Sequence, residues 1–291
     1  MKIGIIGGGA MGMLLAFYLE ENHSVTLYIR NRDQLGKLRE KGITMKNNGI
    51  PHFPRFKMLE EVGKDDLLFI CVKQYHLKIL MPLLQGVSEN VPVVFLQNGM
   101  GHLDLIKHLK TTVLVGVMEH GAIRVNENVV THTGKGVIRL ADFHGDKKAA
   151  EISTILNRDS FPFVFSKDYY SMLAEKLVIN GVINPLTAIM EVENGQVISN
   201  PHFEKLAYEL CREACMVLGL PAENAWKRVK EVASHTSVNQ SSMLKDLQEK
   251  RPTEIDAISG YLLSSSKVQL PYQHFVYHAV KAKELIYGEE K

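Results

Sequence analysis

The sequence predicts an α/β chain, with a doubly wound sheet domain over residues 1–167 and an all-helical C-terminal domain over residues 168–291. Three observations carry this prediction. Short runs rich in Val, Ile, Leu and Phe alternate with amphipathic stretches through the first half. A glycine-rich turn joins the first run to the first amphipathic stretch. From about Lys167 onward, apolar residues recur at helical spacing almost to the end. Strand–helix alternation builds a parallel sheet covered by helices, whereas an unbroken 3.6-residue period builds helix on helix.

Taken in order, residues 2–6, 24–30, 67–72, 91–96 and 112–117 read as strands. Their continuous apolar character implies burial on both faces, hence a mostly parallel sheet. Residues 10–21, 32–41, 75–84 and 103–109 read as helices between them. Residues 129–133 and 136–141 read as a closing hairpin around Gly134-Lys135, and 161–166 as a last strand. In the second half, 173–190, 202–218, 222–233, 243–249, 254–266 and 273–287 read as helices. Pro185 lacks an N–H and crowds the carbonyl of Gly181, which predicts a kink in the first of these.

Composition removes several function classes. Hydrophobic residues make up 45% and charged residues 23%, a globular balance. The net charge is +2 and no basic stripe interleaves with aromatics, so nucleic acid is not an expected partner. No apolar stretch reaches the ~18 residues that span a bilayer, and glycines cut short the apolar start, so neither a membrane nor a secretory leader is expected. Cys71, Cys211 and Cys215 lack framework spacing, which fits a reducing cytoplasm. Cys211 and Cys215 have no partner pair and the histidines no metal-ligand spacing, so the thiols read as structural and no metal is expected. His120 and Trp226 read as packing residues.

Gly7-Gly8-Gly9-Ala10-Met11-Gly12 fits G-x-G-x-x-G between the first strand and the first helix. Glycines permit the tight turn and close approach to a pyrophosphate, and the helix N-terminus stabilises its charge. An NAD site usually carries an acid at the end of the second strand. Here the strand ends Ile29-Arg30-Asn31-Arg32, with no acid before Asp33. A guanidinium matches a 2′-phosphate in geometry and charge, so NADP(H) is expected, with Arg30 as its main contact. Arg32 is either a helper or a solvated surface residue. Lys73, at the C-terminal end of the strand 67–72, is a further contact to the adenosine phosphate or ribose.

At the other end, Lys176, Asn180 and Asn184 lie at i, i+4 and i+8 on one helix face among apolar neighbours. One cation and two carboxamides in such a stripe suggest a lined cleft; the alternative is a solvent-facing stripe. In Asn239-Gln240-Ser241-Ser242 and Pro252-Thr253-Glu254-Ile255-Asp256, either serine could be an N-cap. Thr253 could be another, with Asp256 completing a capping-box-like pair. A free hydroxyl at a helix start would equally suit a substrate carboxylate.

Together, Gly7–Gly12, Leu96-Gln97-Asn98-Gly99-Met100-Gly101, Lys176–Thr187, Asn239–Leu244 and Thr253–Asp256 resemble the ketopantoate reductase family, in order from end to end. The resemblance implies a Rossmann-type N-terminal domain, a helical C-terminal domain, NADPH as cofactor and a small 2-keto acid as substrate. It implies Lys176 as general acid and Glu254 as its partner in the closed site, touching cofactor or substrate. It further implies Asn98 between nicotinamide ribose and substrate, and Asn180 and Asn184 orienting the substrate. Ser242 would meet the substrate carboxylate, with Asn239 nearby and Asn194 at the rim, and the backbone at Ala122 would meet the cofactor. The implied product is (R)-pantoate, a precursor of pantothenate and coenzyme A. A reductase of another 2-keto acid and a non-enzymatic NADP(H) sensor are the competing readings, and a homodimer is the assembly considered.

Overall fold

A computed structural model describes residues 1–46 and 49–289, the last two of these by backbone alone. The chain divides into two compact units, residues 1–97 with 103–172, and residues 98–102 with 173–291.

In the first unit the strands are β1 (Lys2–Ile6), β2 (Ser24–Ile29), β3 (Ile43–Met45), β4 (Pro51–His52), β5 (Arg55–Met58), β6 (Leu67–Ile70), β7 (Val93–Phe95), β8 (Val113–Met118), β9 (Gly121–Arg124), β10 (Val129–Gly134), β11 (Ile138–His144) and β12 (Phe163–Phe165). The helices are α1 (Ala10–Glu20), α2 (Arg32–Lys41), α3 (Leu77–Gln85), α4 (Leu103–Ile106) and α5 (Ala149–Leu156). An eight-stranded sheet runs β12-β11-β8-β7-β6-β1-β2-β5. Every neighbouring pair is parallel except β8 with β11. Strand order reverses between β1 and β6, where open α/β sheets bind ligands at the strands' C-terminal ends.

A second sheet, β4-β3-β10-β9, corrects the expected hairpin. β10 pairs antiparallel with β9 and parallel with β3, while β11 joins the large sheet beside β8. The turn that closes a hairpin lies earlier, where Asn126 Oδ1 accepts from the N–H groups of Asn128 and Val129. Gly134-Lys135 leads the chain out of one sheet toward the other. The small sheet also explains why α1 is apolar nearly all round: it packs against β1 and β2 and also against β3, β9 and β10. Strands β3, β4, β5 and β9 and helix α5 were not foreseen in the sequence.

The second unit is helical: α6 (Tyr169–Met190), α7 (Gln196–Ser199), α8 (Pro201–Leu218), α9 (Ala222–His235), α10 (Ser242–Gln248), α11 (Tyr261–Ser265) and α12 (Pro271–Glu289). A π-helical turn, Asp256–Gly260, precedes α11, so the expected helix over 254–266 is a composite. Helix assignment runs through Pro185 without a break. The Gly181 carbonyl, which Pro185 cannot serve, instead accepts from Nε2 of the buried Gln273 at 3.4 Å. By length and composition α6 could cross a membrane, which corrects the expectation that no stretch is long enough. Its apolar window is 72% buried within the fold, as a core helix would be.

Candidate active site

The glycine turn is tight because side chains are excluded from it. Gly7 has φ +120°, and a Cβ on Gly12 would lie 1.9 Å from the Gly7 carbonyl oxygen. Gly9, the N-cap of α1, is exposed and has open space where a Cβ would go, the side from which a pyrophosphate could approach. Ala10 opens α1, and Met11 packs down onto the core. Gln34 of α2, which sequence reasoning missed, braces the turn by donating from Nε2 to the Gly8 carbonyl at 2.7 Å. Gln34 is buried, but nothing in the sequence of α2 sets it apart from a polar surface residue.

Arg30 follows β2 and is exposed. Asn31 caps α2 by accepting from the Gln34 N–H, so Arg32 becomes the first residue of that helix, also exposed. Lys73 follows β6 as N-cap of a short 3-10 turn, Gln74–His76. Burial first, then the charges of Arg30 and Lys73, push the His76 imidazole below its usual pKa. Arg30 and Lys73 thus stand at the ends of β2 and β6, the two strands that flank β1. Gln97, also missed, bridges the end of β6 by donating to the Ile70 and Val72 carbonyls, each at 2.9 Å. Ala122, after β8, lies inside β9 opposite His132, part-buried against the core.

The second unit gathers three motifs far apart in sequence. Asn98 Nδ2 donates to Glu254 Oε2 at 2.8 Å, and Asn98 Oδ1 accepts from Asn180 Nδ2 at 3.4 Å. Lys176 stands one turn before Asn180 on α6 and is half-buried. Asn180 and Asn184 are 7% and 9% exposed, so the stripe does not face solvent. Gly99 explains the glycine after Asn98. Its φ is +78°, and a Cβ there would lie 2.1 Å from the carbonyl oxygen of Ala257 in the π-helical turn. Only glycine lets the two backbones approach so closely.

Asn194 and Asn239 are joined through the backbone, N–H to carbonyl at 2.9 Å. Asn194 donates from Nδ2 to Thr236 Oγ1, while its buried Oδ1 has no partner among the described residues. Ser241 is the N-cap of α10: its Oγ accepts from the Leu244 N–H and from the Thr187 hydroxyl at 2.8 Å. Ser242, one residue on, is exposed and opens the helix. The capping pair expected of Thr253 and Asp256 does not form. Asp256 instead accepts from Tyr277 and Lys281 of α12, and the Thr253 N–H goes to Glu284.

Comparison with known proteins bears on this arrangement. Two family models match, Ketopantoate reductase PanE/ApbA over residues 3–145 and Ketopantoate reductase PanE/ApbA C terminal over 168–284. The 2-dehydropantoate 2-reductase of Bacillus subtilis is 37% identical, covering 98% of this chain and 98% of its own length. That of Listeria monocytogenes is 37% identical over 98% of this chain and 97% of its own. A crystal structure of a probable 2-dehydropantoate 2-reductase from Bacillus subtilis superposes with a TM-score of 0.87 at 36% identity, covering 97% of this chain and 100% of that one. With relatives matched nearly from end to end and both family models satisfied, the chain belongs to the ketopantoate reductase family.

Proposed function

We propose that this protein is an NADPH-dependent 2-dehydropantoate 2-reductase, converting ketopantoate to (R)-pantoate on the route to pantothenate and coenzyme A in the cytoplasm. One observation supports it above the others. The bonds among Asn98, Glu254 and Asn180 unite side chains from three separate motifs beside Lys176, in a chain whose relatives carry that activity by name.

When bound, reduced nicotinamide would supply the hydride for C2 of the ketone. Lys176 gives its proton to the C2 oxygen as negative charge develops there, and its cation stabilises that charge before transfer is complete. Glu254, steadied by Asn98, would partner the ammonium. Asn180, Asn184 and Asn98 would orient the keto acid, and Ser242 would meet its carboxylate, with Asn239 nearby and Asn194 at the rim. Gly7, Gly8, Gly9, Ala10, Met11 and Gly12 would cradle the pyrophosphate, and the backbone at Ala122 would meet the cofactor. Arg30 would neutralise the 2′-phosphate, with Lys73 a further contact to the adenosine phosphate or ribose. A homodimer is the assembly in which we expect this to occur.

Oxidation of NADPH with ketopantoate, measured against NADH and a panel of other small 2-keto acids, tests the proposal. Ketopantoate with NADPH should give the highest kcat/KM. Preference for another acid would reject the substrate assignment. Tight NADPH binding with no turnover of any 2-keto acid would favour a sensor.

A further inference from the structure

Thr253 has a partner that no sequence motif indicated. Oε1 of Glu284, on α12, accepts from the Thr253 N–H at 2.8 Å and from its hydroxyl at 2.7 Å. Thr253 is 4% exposed, and the Glu284 side chain 15%. The other carboxylate oxygen takes Lys281 Nζ at 2.8 Å, and Lys281 reaches on to Asp256 Oδ2 at 3.2 Å. Tyr277 donates to the second oxygen of Asp256 at 2.8 Å. Residues 277, 281 and 284 share one face of α12. That face therefore grips Thr253 and Asp256, the positions on either side of Glu254-Ile255. Its hydrogens spent on Glu284, Thr253 Oγ1 still accepts from the Ile255 N–H at 3.2 Å and sets the turn that enters the π-helix. Glu254 leaves this clamped segment to meet Asn98.

We propose that Glu284 is a positioning residue for the reaction, acting through Thr253 to hold the carboxylate of Glu254 on Asn98. The inference rests on the proposed reductase activity. A surface ion pair alone would contribute little and leave kcat untouched. A charge-assisted double acceptor on a buried threonine does more, because its loss strands two buried donors.

The test uses the full chain with NADPH and ketopantoate. Glu284→Ala should lower kcat about tenfold while leaving the NADPH KM within twofold, and Glu284→Gln, which keeps the accepting oxygen, should restore most of the loss. In a Glu254→Gln background Glu284→Ala should add little, since both act on one group. An equal loss in both backgrounds, or unchanged kcat in Glu284→Ala, would overturn the proposal. Should Glu284→Ala fail to fold, Thr253→Ala replaces it and must show the same dependence on Glu254. Amide hydrogen exchange over residues 253–258 is a readout independent of turnover: protection should fall in Glu284→Ala and return in Glu284→Gln. Wild-type protein inactive on every 2-keto acid would sink the reductase reading, whereas active wild type with an indifferent Glu284→Ala sinks only the clamp.

Discussion

Truncating Lys176 to alanine should remove the proposed proton donor and the cation facing the developing alkoxide. We expect kcat to fall by about 10²–10⁴-fold, with NADPH affinity by fluorescence titration nearly unchanged, because such a group acts on the transition state. Arg30→Ala should do the reverse, raising the NADPH KM about tenfold or more and the NADH KM little, since a charged hydrogen bond is typically worth about 1.5–3 kcal/mol. Equal effects on the two cofactors would refute the phosphate role. Asn180 and Asn184 stood out in the sequence because asparagine is a poor helix former among apolar neighbours, and both are buried. Arg30 stood out only because no acid ends its strand, and a solvated surface arginine is its alternative reading. Gln34 and Gln97 were not legible, because a glutamine that braces backbone looks like any polar surface residue until its burial is known. Ser241 and Ser242 could be told apart only by which hydroxyl turned back to Leu244.

Among elements, the long periodic ones were read well and the short ones were not. Strands β1 and β6 and helix α1 declare themselves by buried apolar runs, and α8 by apolar residues at helical spacing. Strands β3, β4 and β9 have only two to four residues, too few for a period to emerge, and their pairing depends on partners remote in sequence. The false hairpin has the same root: adjacency in sequence suggested a partner for β10 that a second sheet supplied instead. The π-helical turn likewise has no sequence period of its own, and its Ala257 carbonyl lies against Gly99. Gly99→Ala should therefore separate the two backbones and loosen the Asn98–Glu254 bond. We expect about 1–3 kcal/mol lower stability, by denaturant titration, together with reduced kcat. Loss of stability without loss of kcat would show that the contact is structural only.

The whole molecule carries histidines that its folds keep neutral. His120 is 3% exposed and stacks on Phe161. Its Nδ1 accepts from the Gly136 N–H, so His132 Nε2 must donate to it, and His132 Nδ1 then accepts from Tyr18. This leaves no site for a second proton at Nδ1. Burial, then the neighbouring His132, pushes His120 down to about 4. Burial alone does the same for His102 in the other unit, also to about 4. An unfolded histidine titrates near 6.5. Between these values the unfolded chain binds protons that the folded chain refuses, so stability is fully present above about 6.5 and is lost as pH falls toward 4. Each such proton adds about 1.4 kcal/mol per pH unit to the slope. Thermal unfolding from pH 7 to 4.5 should show the decline, and His120→Phe should flatten it; identical slopes would reject the assignment to His120.

Residues 98–102 cluster with a unit whose other members begin only at residue 173, and Asn98 meets its carboxylate partner 156 positions later. During synthesis, then, the ribosome delivers the nucleotide-binding half well before the segment emerging from its middle has anything to hold it. A nascent or truncated polypeptide ending near Met172 should be open to protease between Asn98 and His102, and should become resistant only once α12 has cleared the exit tunnel.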